Sequence, residues 1–128
     1  MPTPNFVSKS MVLSIHARQI ERFGGTLGVR DEGLLESALA QPQATFGGHI
    51  LHPTISEQAA AYLYHTAMNH PFIDGNKRTA FAVTDTFLRL NGCTLNLTDD
   101  RVYDLVMRVA RGTMTKEELA TEFESCIV

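Results

Sequence analysis

The sequence predicts an all-α fold, a single compact domain of about six helices spanning residues 1–128. Apolar residues recur at helical spacing in successive segments, and residues that cap or stop helices separate those segments. No repeat, low-complexity tract or linker divides the chain. A chain of this length can bury a real core but is too short for a separate regulatory domain, so we expect any regulator to come from another chain.

The first two helices are indicated by their apolar spacing and their stop signals. Apolar residues from Met11 to Phe23 follow helical periodicity, and Gly24 with the glycine after it ends the pattern. Asp31 is a suitable N-cap for a second, leucine-rich helix, and Pro42 terminates that helix.

The segment 45–52 interrupts the helical pattern. Its glycines stand beside β-forming residues, so we expect either a short β-hairpin or an irregular loop. His49 and His52 have His-x-x-His spacing, but no third ligand lies near them in the sequence. We therefore assign them no metal and no other role.

Two more helices are expected between residues 54 and 90. Thr54 begins a capping-box sequence, and the alanine-rich helix that it opens is expected to run to His70. A further helix is expected from Asn76 to Leu90. Because this helix is apolar on most sides, we expect it to be the buried centre of the fold.

The last two helices are expected to begin at threonine caps. Thr98 precedes two aspartates, which favour the first turn of a helix, and Thr115 begins a second capping-box sequence. His16 and His65 lie on predicted helices, where a histidine usually has a structural role.

Composition excludes several functional classes. Hydrophobic residues make up 44% of the chain, charged residues make up 20%, and the formal net charge is −3, so no direct nucleic-acid partner is expected. No membrane span and no signal peptide are evident, and a cytoplasmic location is expected. Cys93 and Cys126 are far apart, which favours buried free thiols in a reducing compartment over a disulfide.

Residues 70–79 carry the chemistry of the chain. Pro71 disfavours helical geometry at His70, so the imidazole is expected to be exposed at a helix end, where it can accept a proton near neutral pH. Asp74 provides an oxygen ligand suited to Mg²⁺ that bridges phosphates. Gly75 lets the backbone approach an anion closely.

The beginning of the next helix adds the groups that bind phosphate. Its first N–H groups lack intrahelical partners and attract anions, and Asn76 can add a side-chain donor. Lys77 and Arg78 supply two cations of different geometry. Phe72 is expected to point into the core and anchor the loop. A solvated turn would explain each residue alone, but it would not explain why an acid, a base and two cations occur together.

This segment resembles the signature of the Fic family, His-Pro-Phe-x-Asp/Glu-Gly-Asn-Gly-Arg-x-x-Arg. Two positions depart from it, because Lys77 stands in place of the usual glycine and Phe81 in place of the second arginine. These departures resemble the death-on-curing (Doc) branch, and the likeness covers nearly the whole chain. The matching positions are His70, Pro71, Phe72, Asp74, Gly75, Asn76 and Arg78.

The resemblance implies a Fic/Doc-type helical fold and a protein kinase toxin. Most Fic proteins transfer AMP from ATP, whereas the Doc branch places the γ-phosphate of ATP at the reacting position, with Mg²⁺. The implied substrate is a threonine of elongation factor Tu, and the implied inhibitor is a small Phd-like antitoxin acting in trans. An AMP transferase and a non-catalytic binding module are the alternatives.

The resemblance also bears on the loop at residues 45–52 and on regulation. In Fic folds a flap at this place aligns the target peptide by strand pairing, and a plain surface loop is the alternative. Some Fic proteins carry an inhibitory helix, Ser/Thr-x-x-x-Glu-Gly/Asn. Glu32-Gly33 is the one Glu-Gly pair, and Gly28 stands where the Ser or Thr would be, so no such helix is expected.

Overall fold

The structure, a computed structural model, describes residues 3–128. Over this range six α-helices and one two-stranded hairpin follow one another, so the all-α prediction is confirmed. The elements, in chain order, are α1 (Lys9–Phe23), α2 (Glu32–Ala40), a 3₁₀ turn (Gln41–Gln43), β1 (Thr45–Phe46), β2 (His49–Ile50), α3 (Ile55–Asn69), α4 (Asn76–Leu90), α5 (Asp99–Ala110) and α6 (Lys116–Cys126).

Side-chain caps begin five of the six helices. Ser8, Asp31, Thr54, Thr98 and Thr115 each accept a hydrogen bond from a backbone N–H in the first turn. Each such cap typically contributes about 1 kcal/mol of stability. The caps predicted at the start of α2, α3, α5 and α6 are confirmed, and α4 is the helix without one.

The two predicted capping boxes differ. Thr115 and Glu118 form the complete reciprocal pair at the start of α6. At the start of α3, the Thr54 hydroxyl accepts from the N–H of Glu57 and donates to the Glu57 carboxylate at 2.9 Å. The Glu57 side chain is therefore engaged by the threonine hydroxyl in place of the backbone N–H.

The central helix is α3, so the expectation that α4 forms the buried centre was wrong. α3 contacts α2, α4, α5 and α6, and alanines line much of it. Short side chains let neighbouring helices approach α3 on several sides. α4 buries one face, including Phe87, and exposes the face that carries Lys77 and Arg89.

Of the two alternatives expected for residues 45–52, a short hairpin or an irregular loop, the structure shows the hairpin. Thr45 pairs with Ile50, and Phe46 pairs with His49 in antiparallel register. The two glycines of the turn have φ angles of 57° and 81°, as a tight two-residue hairpin turn requires. Both strands are exposed, with Phe46 78% and Ile50 61% accessible.

The loop from residue 70 to 75 joins α3 to α4, and the segment after α1 packs across it. Val29 forms an antiparallel bridge with Phe72, and the N–H of Ile73 donates to the carbonyl of Gly28 at 3.0 Å. The loop is thus fixed by a second stretch of backbone from about 45 residues earlier in the chain.

Two further expectations concern cysteines and membranes. Cys93 and Cys126 are free thiols, as predicted, but both are partly exposed, so the expectation that they are buried was wrong. They lie at or near the ends of α4 and α6, where packing is less complete. Among the helices formed by residues 3–128, none has the length and apolar content that crossing a membrane requires.

Candidate active site

His70 ends α3 in an unusual backbone conformation. Its φ and ψ angles are 48° and 54°, and it is the only non-glycine residue between positions 3 and 128 with a positive φ. The left-handed region costs an L-residue about 1–2 kcal/mol. The turn breaks the helix before Pro71 and leaves the His70 side chain exposed at the mouth of a cleft, as the sequence predicts.

Arg30 binds the end of α3 through both its side chain and its backbone. Its Nε donates to the carbonyl of His70 at 2.7 Å, and its Nη2 donates to the carbonyl of Asn69 at 3.0 Å. Its backbone N–H donates to the carbonyl of Pro71 at 2.7 Å. The sequence does not indicate this role of Arg30, because no local pattern links it to a helix end 40 residues away.

Phe72 and His16 form the buried floor of the loop. Phe72 is fully buried, as predicted, and its ring stacks on the His16 imidazole with centroids 3.8 Å apart. His16 Nε2 lies 2.9 Å from the carbonyl oxygen of Asp74. Because a carbonyl oxygen only accepts, Nε2 carries the proton. His16 has the structural role expected of it, but its place beneath the motif was not foreseen.

The side chain of Asn76 clamps the loop from the other side. Its amide oxygen accepts the N–H of Phe72 at 2.9 Å, and its amide nitrogen donates to the Phe72 carbonyl at 3.0 Å. The carboxamide has two N–H donors, so one remains for a substrate oxygen. Asn76 is thus first a loop clamp, a use that the sequence did not indicate.

The carboxylate of Asp74 is held by backbone donors. Oδ1 accepts the N–H of Gly75 at 2.9 Å, and Oδ2 accepts the N–H of Thr26 at 3.2 Å. Gly25 lies directly against this group, and a Cβ there would be 2.7 Å from Oδ2. A side chain at Gly25 would therefore displace the carboxylate. Each oxygen keeps a free lone pair and remains accessible.

Asp74 is the residue that could hold a metal ion at this site. Across residues 3–128 no group of three or more histidine, cysteine, aspartate and glutamate side chains is arranged to bind a metal. A cage made wholly of protein ligands is therefore not built here. A single fixed carboxylate beside a phosphate site fits Mg²⁺, which retains waters and binds substrate phosphates directly.

The beginning of α4 is open to an anion. Gly75 occupies the N-cap position with a φ of 73°, and no side chain caps the helix. The first N–H groups of α4, at Asn76, Lys77 and Arg78, lack intrahelical partners and carry the positive end of the helix dipole. The Lys77 side chain is exposed beside them and makes no ion pair within residues 3–128.

Arg78 leans toward the end of α1. Its Nη2 donates to the carbonyl of Gly24 at 3.1 Å, and its guanidinium lies 5.2 Å from the centre of the Phe23 ring. A guanidinium has five N–H donors, so most remain available. These contacts fix the direction of the Arg78 charge.

The predicted site residues converge on one open cleft of about 430 Å³. Phe72 lies beneath it, buried. Phe81, where the common Fic signature has its second arginine, packs against the hydrophobic core and does not line the cleft. The residues lining the cleft are His70, Ile73, Asp74, Gly75, Asn76, Lys77 and Arg78.

Known proteins match this chain in sequence over the segments that build the cleft. The model of the Fic/DOC family matches residues 6–88, which include every residue of the cleft. Toxin Doc of Mycolicibacterium smegmatis is 46% identical to this chain over 102 residues, or 78% of each protein. Protein kinase doc of Escherichia phage P1 is 32% identical over 114 residues, or 89% of each. The chain therefore belongs to the Fic/DOC family, and within it to the Doc branch.

Proposed function

We propose that this protein is the toxin of a toxin–antitoxin system and acts as a protein kinase. In this proposal it transfers the γ-phosphate of ATP to a threonine of elongation factor Tu in the cytoplasm and so inhibits translation. The names of the two relatives, a Doc toxin and a Doc protein kinase, support the toxin and kinase parts. The choice of elongation factor Tu rests on the likeness to the Doc branch.

The observation that carries the proposal is the composition of the cleft. An exposed imidazole at the end of α3 shares one opening with an uncapped helix start and the Lys77 and Arg78 side chains. A base beside an anion site is what deprotonation of a hydroxyl next to a polyphosphate requires.

The proposed reaction is a direct phosphoryl transfer. The His70 imidazole accepts the proton of the threonine hydroxyl as the hydroxyl oxygen bonds to the γ-phosphorus of ATP. The bond from that phosphorus to the oxygen bridging to the β-phosphate breaks, and ADP leaves with that oxygen. Lys77, Arg78 and the first N–H groups of α4 offset the charge that spreads over the phosphate oxygens.

Asp74, whose two oxygens each accept a backbone N–H, would hold Mg²⁺ in this reaction. When bound, Mg²⁺ neutralises phosphate charge and orients the transferring group. The chain's own contribution is a carboxylate whose direction is set by two backbone N–H groups and by the absence of a side chain at Gly25.

Two departures from the common Fic signature favour phosphate transfer over AMP transfer. Lys77 places a long cationic side chain at the helix start, where glycine would leave room for another phosphate group. Phe81 stands in place of the second arginine and packs against the core, so no cation reaches the cleft from that position. An AMP-transferring Fic enzyme is the alternative outcome of the test below.

The hairpin and an antitoxin complete the proposal. The exposed, two-stranded hairpin could align a target peptide through main-chain pairing, which tolerates varied sequence. We further propose that a small Phd-like antitoxin inhibits the protein in trans, in keeping with the relative named Toxin Doc.

The position of a radiolabel on ATP tests the reaction class. The purified protein would be incubated with magnesium, elongation factor Tu and ATP labelled either at the α- or at the γ-phosphate. We expect only the γ-label on the factor. The His70→Ala variant should lose about 10²–10⁴-fold in turnover, the usual contribution of a positioned base, without unfolding.

Each other outcome has a distinct meaning. Transfer of the α-label would place the protein with the AMP transferases. Wild-type turnover by the folded His70→Ala variant would remove the imidazole from the mechanism. An unchanged melting temperature of the wild-type protein with magnesium and ATP would indicate a module that does not bind the nucleotide.

A further inference from the structure

The conformation of His70 requires support from outside the residue. A left-handed backbone is unfavourable for any residue with a Cβ, and the proline that follows favours extended geometry. The imidazole is exposed, so packing of its own side chain cannot hold the turn. Some other group must keep the backbone of His70 in place.

Arg30 has the geometry for this task. Its side chain reaches the carbonyls of Asn69 and His70, and its backbone N–H reaches that of Pro71, so three successive carbonyls point at one residue. The rigid guanidinium fork engages two of these carbonyls at once. They also lie at the negative end of the α3 dipole, where a cation is favoured.

We infer that Arg30 is a positioning residue that holds His70 in its left-handed conformation and so aims the imidazole into the cleft. The inference rests on the proposed function, because it takes His70 to be the proton acceptor. Arg30 does not line the cleft, so its side chain acts through the backbone of His70 and not on the phosphates.

A double-mutant cycle on turnover tests this inference. Arg30→Ala should lower single-turnover phosphate transfer by about 10²-fold, as misplacement of a catalytic group by about 1 Å does, with little change in the KM for ATP. In the His70→Ala background the same substitution should have almost no further effect, because the imidazole that Arg30 positions is gone. A full further loss in that background would overturn the inference.

Two variants refine the cycle. Both Arg30→Ala and Arg30→Lys keep the backbone N–H bond to Pro71. Arg30→Lys also keeps the charge but lacks the fork, so it should recover part of the lost rate. Arg111→Ala removes an exposed arginine outside the cleft and should leave the rate unchanged. A loss as large in Arg111→Ala would show a general effect of net charge and would overturn the inference.

A second measurement does not depend on the proposed reaction. The backbone ¹³C chemical shifts of His70 report whether it occupies the left-handed region, and they can be recorded for wild type and Arg30→Ala in the absence of any substrate. A change confined to residues around His70 supports the inference even where the wild-type protein transfers no phosphate. Unchanged shifts would overturn it, whatever the activity.

Discussion

At the scale of single residues, Lys77 has the clearest consequence for chemistry. It is exposed in the cleft, at the uncapped start of α4, and it makes no ion pair with any residue from 3 to 128. The Lys77 ammonium is therefore available to bind a phosphate. A flexible ammonium acts as a point charge, which suits a group whose charge moves during transfer.

Truncation of Lys77 should weaken nucleotide binding and turnover together. Loss of one charge-assisted contact to phosphate corresponds to about 10–10²-fold in kcat/KM for the Lys77→Ala variant. Because Lys77 is exposed, the melting temperature of the Lys77→Ala variant without nucleotide should match that of the wild-type protein. Steady-state kinetics with ATP and thermal unfolding measure the two quantities.

The Lys77→Arg variant is the matched control. It keeps the positive charge but alters its geometry, so its activity should lie between those of Lys77→Ala and wild type. Normal kcat/KM in Lys77→Ala would remove the main structural argument for the kinase branch.

The residues of the cleft could be predicted from local sequence, but their supports could not. Pro71 alone predicts that α3 stops at His70, and the glycine and cations that follow predict an anion site. The residues that support the cleft lie 39 to 58 positions away in the sequence from the residues that they contact. They are His16, Gly25 and Arg30. Nothing near these three residues in the sequence indicates their partners, because only the fold brings them together.

At the scale of elements, α3 ends at the cleft and also packs against α6. His65 on α3 lies 3.1 Å from the Nζ of Lys116 on α6. An ammonium only donates, so the His65 Nε2 accepts and the ring is neutral. Burial, the Lys116 charge and nearby His52 lower the pKa of His65 from 6.5 to about 4.

Acid should therefore destabilise the packing of α3 against α6. Between pH 6.5 and 4 the unfolded chain binds a proton at His65 that the folded chain does not, so stability falls as the pH falls through this window. Above pH 6.5 this residue should contribute no pH dependence. Denaturant unfolding of wild type and His65→Gln across this range measures the difference.

The His65→Gln variant should show a shallower loss of stability between pH 6.5 and 4. Part of the slope should remain, because burial and the Lys116 charge also lower the pKa of His52. Identical pH profiles for the two proteins would show that His65 does not titrate in this way.

The sequence predicted the elements better than their arrangement. Caps such as Asp31 and Thr115 are local signals, and the structure places helix starts beside them. The central place of α3 was missed, because the prediction relied on the large apolar side chains of α4. Those side chains bury only one face of α4, whereas the alanines of α3 allow close contact with four helices.

At the scale of the whole molecule, the site is built where segments distant in sequence meet. α1 supplies His16 beneath the loop, the segment after α1 supplies Gly25 and Arg30, and the junction of α3 and α4 supplies the residues that line the cleft. The family match over residues 6–88 covers all of these segments. α5 and α6 pack on the other sides of α3.

The fold combines a cleft held by packed helices with a hairpin that is accessible at the surface. The cleft lies at the junction of two packed helices, whereas the strands of the hairpin are exposed. In the proposed mechanism, a protein substrate pairs with these strands while the groups of the cleft stay fixed. Such preorganisation is what phosphoryl transfer requires, because positioning and electrostatics supply most of its rate.

The measurement that tests the central claim most directly is the intact mass of elongation factor Tu after incubation with the protein, magnesium and ATP. The account predicts a gain of one phosphate with the wild-type protein and none over the same period with His70→Ala. An AMP-sized gain, or a phosphate gain that persists undiminished in the folded His70→Ala variant, would contradict the account.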